Sequence, residues 1–136
     1  KFRAKVYDGI VELLENLKGQ GVVMAVATLK YEVLAIDVLD HFKLLPFFET
    51  VVGADYGGEL TKAGIIAKAM RRLGEDDHSK ALMVGDTQVD LEGSLESKLK
   101  FVGVDWGFGF TKGASLEREG HVLGMIEAPH HLLPLL

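Results

Sequence analysis

The 136-residue chain contains no cysteine, which removes a disulfide scaffold, a thiolate metal site and thiol-based catalysis together. No long hydrophobic run is present either. The longest apolar stretch, "GVVMAVATL" at 21–29, falls well short of the roughly 20 residues that a membrane helix needs. No basic run offsets the formal charge of -5, so a nucleic-acid partner is disfavoured as a main role. Small anions stay possible where a local cation waits for them. The opening "KFRAKVYDG" lacks an apolar h-region and a small-residue cleavage site, so no signal peptide is expected. It also lacks an initiator methionine, so the chain is expected to be cut from something longer. The cytosol is the expected compartment. No internal repeat or low-complexity segment interrupts the chain.

What is present reads as one globular unit. Hydrophobic residues make up 48% and charged residues 26%, ordinary values for a packed domain, and the length suits a single core. In "YDGIVELLENLKGQG" the residues Ile10, Leu13, Leu14 and Leu17 recur at helical spacing, Asp8 is placed to cap, and Gly19 or Gly21 stops the run. "VVMAVAT" at 22–28 follows as a strand apolar on both faces, as parallel sheets covered by helices require. A second helix is predicted over 31–42 with Leu34, Val38 and Phe42 in line, and a second strand over 49–54. "KAGIIAKAMRRLG" repeats the helical pattern with Ile65, Ile66, Ala69, Met70 and Leu73 on one face and Gly74 as the stop. Strands are then predicted over 81–85, at "KFVGVDW" and, less regularly, over 121–126. A weaker helix, "TQVDLEGSLES", comes between the first two of these, with Gly93 and Ser94 allowing close packing. A short helix beginning at Pro129 closes the chain. Alternating helices and buried strands predict an α/β, doubly wound, three-layer Rossmann-like domain.

In such sheets ligands bind beyond the carboxyl ends of the strands, which here read "ATLK", "GADYGG", "GDTQVD" and "GVDWGFG". Asp86 sits at one exit and Asp90 a helical turn further on, so both carboxylates can share a crevice and, with a hard cation such as Mg²⁺, hold a phosphate. The alternative is that Asp86 caps the next helix and Asp90 favours its dipole. Thr28 ends an apolar strand where a hydroxyl and following amides suit a phosphate, or it is a plain N-cap. Lys62 opens a helix, against the dipole, which makes sense if it reaches for an anion; otherwise it is a solvated lysine. The glycine clusters read as turns: "GADYGGE" puts Glu59 where a P-loop needs lysine, and "GFGFTKG" misses the dinucleotide fingerprint by one residue. His41 and His78 read as solvated, His121 lacks partners, and adjacent His130 and His131 make a poor metal pair.

A threonine after one buried strand, a lysine opening a later helix and "VGDTQVD" after the next strand, in this order, resemble the haloacid dehalogenase superfamily of phosphohydrolases. The surrounding text, "VYDGIVELLENLKGQG", "VATLK" and "GVDWGFG", is similar to its phosphoglycolate phosphatase-like branch. The resemblance covers residues 1–136 and makes them the carboxy-terminal part of the core, carrying motifs two to four. It implies that Thr28 and Lys62 stabilise phosphoryl oxygens, with phosphate also held by the backbone amide of Leu29, since a small polar residue is usual there. It implies Asp86 and Asp90 at a Mg²⁺ ion, with Asp90 beside the metal or paired with Lys62. The substrate would be a small phosphorylated metabolite, attacked by an aspartate to give an aspartyl-phosphate. That nucleophile belongs to a first motif, an apolar strand ending in Asp-x-Asp, which does not occur in these 136 residues. The chain alone is therefore expected to be inactive, its sheet incomplete for want of the central first strand. An upstream segment, with a cap that selects substrate, or another chain is expected to fill the gap. Two other readings stay open, a receiver-like or degenerate phosphatase domain that binds a phosphorylated ligand without hydrolysing it, and a structural or oligomerisation domain.

Overall fold

A computed structural model describes residues 6, 8–55, 57–58, 60–105 and 122–136. "GFGFTKG" and His121 lie outside the described residues, as does Glu59. The chain divides into two compact units, Lys1–Gly74 and Glu75–Leu136. Every strand pairing among the described residues is parallel.

The first unit begins with α1 (Ile10–Gly19), which buries Leu13, Leu14 and Leu17, the residues that helical periodicity places on one face. Asp8 does not cap it. The N-cap is Gly9, in the left-handed region at φ 91°, without a side-chain cap. At the other end Gly21 (φ 79°) turns the chain back, with the Gly21 and Val22 amides donating to Lys18 O and Leu17 O, the pattern of a Schellman stop. That pattern explains why β1 spans Ala25–Tyr31 rather than starting at Val22. The Val22 amide is spent on the helix, and Val23 stands 64% exposed.

β1 pairs with β2 (Thr50–Ala54) through Ala25↔Thr50, Val26↔Val51 and Ala27↔Val52, and again at Tyr31↔Ala54. Three residues, Thr28 to Lys30, thus oppose one, Gly53, and leave the ladder as a bulge. α3 (Lys62–Leu73) buries Ile65, Ile66, Ala69 and Met70, as its spacing predicts, and Gly74 ends it at φ 72°. Val52, Ile65 and Ala69 form a core cluster with Ala27 and Leu60 packed against it. The neighbouring strand residue, Gly53, points the other way. A Cβ on Gly53 would lie 2.5 Å from the backbone of Glu32 and from Lys30 O, so α2 (Glu32–His41) begins on the face opposite α3. Two helices therefore sandwich this sheet. α2 departs from its expected face: it buries Ala35, while Leu34 is 51% exposed. Lys18 Nζ donates to Pro46 O (3.2 Å) in a 3₁₀ turn at Leu45–Phe47, tying α1 to the loop after α2.

A charged pair occupies one edge of β2. Arg72 Nη1 donates to Val51 O (3.0 Å), to Thr50 Oγ1 (3.3 Å) and to Glu32 Oε1 (3.4 Å), and that same Glu32 oxygen accepts from the Gly53 amide (3.2 Å). Backbone groups two residues apart share one side of a strand, and a guanidinium reaches them only where no strand is paired. Glu32 and Arg72 thus cover the outer edge of β2.

The second unit is a sheet ordered β3 (Leu82–Gly85), β4 (Lys100–Val104), β5 (Val122–Ile126). α4 (Gln88–Ser97) packs on β3 and β4. Its Leu91 meets Phe101 in a core walled by Met83, Leu95, Val122 and Met125. Gly93 and Ser94 are buried, and Ser94 Oγ donates to Asp90 O (2.8 Å). The terminal 3₁₀ helix, Pro129–Leu135, packs on β5 and buries Pro129 and Leu132. His78 is not simply solvated, since its Nδ1 lies 2.7 Å from Ser97 O. Each sheet is open on one side: β1 has only β2 as partner and β3 only β4 among the described strands. This is the incomplete α/β architecture expected.

Candidate functional site

Thr28, Leu29 and Lys62 belong to the first unit and are brought together there. Thr61 N-caps α3, its Oγ1 accepting from the Gly64 amide (3.1 Å), and this sets Lys62 at the first helical position. Its side chain is turned inward, leaving the residue 7% exposed. Nζ donates to Ala27 O at 2.5 Å, the carbonyl of the peptide bond to Thr28. A solvated lysine would not be so placed. The ammonium is held against the middle of β1, at Ala27, where the bulge starts. Thr28 is not an N-cap either: Tyr31 occupies that position of α2 without a side-chain bond. Thr28 Oγ1 accepts from the Lys30 amide (3.1 Å), an arrangement that lets the hydroxyl donate its proton outward. Leu29 is 48% exposed beside it.

Asp86 and Asp90 belong to the second unit. The N-cap of α4 is Thr87, not Asp86, and Thr87 and Asp90 close a capping box. The Asp90 amide donates to Thr87 Oγ1 (3.2 Å), while Asp90 Oδ2 accepts from the amides of Asp86 (3.1 Å) and Thr87 (3.3 Å). The signal was in the sequence: "TQVD" has the Thr-x-x-Asp form of a box. Gly85 makes the fit possible, since a Cβ there would lie 2.5 Å from Asp90 Cβ and 2.6 Å from Oδ2. Asp90, buried, grips the loop that presents the half-buried Asp86. Across the neighbouring strand, paired at Gly85↔Gly103, Asp105 carries a buried Oδ2 with no hydrogen-bond partner.

These oxygens suit a hard cation in kind, being carboxylates without sulfur or imidazole. They are too few for a cage: among the described residues no three His, Asp or Glu side chains gather to hold a metal. A Mg²⁺ ion bound at Asp86 would need further ligands. Near the start of this unit, Asp77 has a purely local task. Ser79 donates to its Oδ1 through hydroxyl (2.6 Å) and amide (3.0 Å), which lowers the Asp77 pKa below the usual carboxylate value.

Parallel strands flanked by helices in each unit define an α/β, Rossmann-like fold. The chain belongs to the haloacid dehalogenase-like hydrolase family, whose model matches residues 2–104. It is 36% identical over 105 residues to the tyrosine-protein kinase PtkA of Mycobacterium tuberculosis, covering 76% of this chain and 36% of that protein. It is 36% identical over 105 residues to a phosphoglycolate phosphatase of Aquifex aeolicus, covering 76% and 49%. The crystal structure of a predicted phosphatase from Clostridium acetobutylicum superposes with a TM-score of 0.84 at 37% identity, over 94% of this chain and 58% of that one. The chain thus spans roughly a third to three fifths of these relatives' length. No helix among the described residues is long and apolar enough to cross a membrane.

Proposed function

We propose that the chain is the carboxy-terminal part of the core of a Mg²⁺-dependent phosphomonoester hydrolase. It would act on a small phosphorylated metabolite in the cytoplasm through an aspartyl-phosphate. The observation that carries this reading is the buried Lys62 ammonium on Ala27 O, one peptide from the Thr28 hydroxyl. A cation desolvated at the bulge of β1, next to a hydroxyl able to donate, is suited to phosphoryl oxygens. In this reading Lys62 and Thr28 bind the phosphoryl group with the Leu29 amide, and Asp86 is the carboxylate that holds the cation. Asp90, with one oxygen committed to two amides, positions Asp86. Mg²⁺, when bound, neutralises charge on the transferring group. The nucleophilic aspartate, and a strand for the open edges of β1 and β3, would come from an upstream segment or another chain.

The test is hydrolysis of an aryl phosphate by the full-length protein with and without Mg²⁺. Asp86→Asn is expected to lower kcat/KM by about 10²–10³-fold. Undiminished turnover in that variant, or in chelator, would refute the assignment. A second reading, phosphoryl transfer to protein, is favoured by the likeness to PtkA; label passing from ATP to a tyrosine, without phosphatase turnover, would select it. Binding of phosphorylated ligands with neither activity would select the non-catalytic reading.

A further inference from the structure

α2 is apolar around most of its circumference, with Val33, Leu34, Ala35, Ile36, Val38 and Leu39 among its residues, and a helix of that composition is ordinarily buried. Here it buries only Ala35. Val33 stays 62% exposed, Leu34 51% and Ile36 37%. The three lie next to or one turn from each other, so they form a single patch on the N-terminal half of the helix. Contiguous apolar patches mark interaction surfaces, where scattered single residues do not.

Charge at its two ends selects the partner. Lys30 is exposed just before the helix, and Asp40 is exposed in its last turn, on the face of Val33 and Ile36. Neither side chain makes a hydrogen bond or ion pair among the described residues. Each is misplaced for its own helix, a cation at the positive N-terminal end and an anion at the negative C-terminal end. Beside an antiparallel neighbour both are well placed, because the ends of the second helix are reversed. A neighbour that offers an apolar patch, a cation opposite Asp40 and an anion opposite Lys30, at matching separation, is α2 of a second copy.

We propose that the protein forms a two-fold symmetric dimer through α2. The helices run antiparallel, Val33, Leu34 and Ile36 of one copy pack against those of the other, and Lys30 of each copy meets Asp40 of the other. The contact is isologous, as a closed homodimer requires. One short helix per copy is a small interface, so the dimer is reversible, with Kd on the order of 10 µM. Sedimentation velocity of the full-length protein from about 1 to 200 µM tests this. A concentration-dependent dimer is expected. Val33→Asp, which puts a charge into the apolar contact, should weaken it about tenfold or more while leaving thermal unfolding unchanged. Lys30→Asp and Asp40→Lys should each weaken it about tenfold, because each sets like charges together at both symmetry-related ends. The double variant Lys30→Asp/Asp40→Lys should return Kd to within about twofold of the parent. A protein that stays monomeric throughout, a dimer indifferent to Val33→Asp, or charge reversals that simply add in the double variant overturns the proposal. So does a monomer whose unfolding midpoint falls in Val33→Asp, since the patch is then covered by another segment of the same molecule.

Discussion

Replacing Gly85 by alanine tests the grip of Asp90 on the Asp86 loop. The added methyl would meet Asp90 Cβ at 2.5 Å, Oδ2 at 2.6 Å and Cγ at 2.8 Å, all closer than carbon atoms approach without displacement. Asp90 Cβ is fixed by the backbone of α4, so rotating the side chain does not relieve the contact and the helix has to shift. The shift strains a packed core, at about 1–3 kcal/mol, and draws Asp90 Oδ2 away from the Asp86 and Thr87 amides, weakening bonds to a charged group that contribute about 1.5–3 kcal/mol each. Gly85→Ala should therefore destabilise by about 2–4 kcal/mol, read by denaturant or thermal unfolding. A cycle with position 90 sharpens the test. Because the nearest atom is Asp90 Cβ, Asp90→Ala removes the carboxylate but keeps the clash, so the alanine at 85 stays costly there. Asp90→Gly removes the clash, and the cost of Gly85→Ala should fall below about 1 kcal/mol. A Gly85→Ala protein as stable as its parent, or equal costs in both backgrounds, refutes the geometry.

Three other outcomes are expected. Lys62→Met keeps the stem's volume and deletes the ammonium on Ala27 O, so phosphomonoesterase kcat/KM should drop about 10²–10³-fold with the circular dichroism spectrum unchanged. Arg72→Ala removes the guanidinium from Glu32, Thr50 and Val51. Because the ion pair is about one-third exposed, the loss should be only about 1 kcal/mol, but the uncovered β2 edge should raise self-association in sedimentation velocity. Asp77 should titrate below the usual carboxylate range by NMR, and Ser79→Ala should return it toward that range, because Ser79 is the main cause of the lowered value. Since the folded pKa is the lower one, the stability from this cap is present above the unfolded carboxylate's pKa and is lost as pH falls through the folded value.

Helical periodicity was legible where a helix packs a wide apolar face. α3 turns Ile65, Ile66, Ala69 and Met70 inward as spaced. It was misleading in α2, where Leu34 is exposed and Ala35 is buried. The helix starts so close over Gly53 that a small residue suits the contact. The apolar run at 22–28 sets β1 three residues too early: the strand spans Ala25–Tyr31, and Val22 still serves the turn that ends α1, a backbone commitment that hydrophobicity does not record. Around the candidate site, motif order singles out Thr28, Lys62, Asp86 and Asp90. It treats Asp86 and Asp90 alike, although the capping-box form of "TQVD" already assigns Asp90 to the turn, as its hydrogen bonds show. The charged cover on β2 joins positions 32 and 72, a separation with no local pattern to read.

The three residues that leave register between Ala27 and Tyr31 are fastened at both ends yet supply no rung to the ladder. Their side chains can therefore change without loosening the strand that carries them. Substitutions at positions 29 and 30 should therefore cost the scaffold less stability than substitutions at the paired positions Ala25 to Ala27.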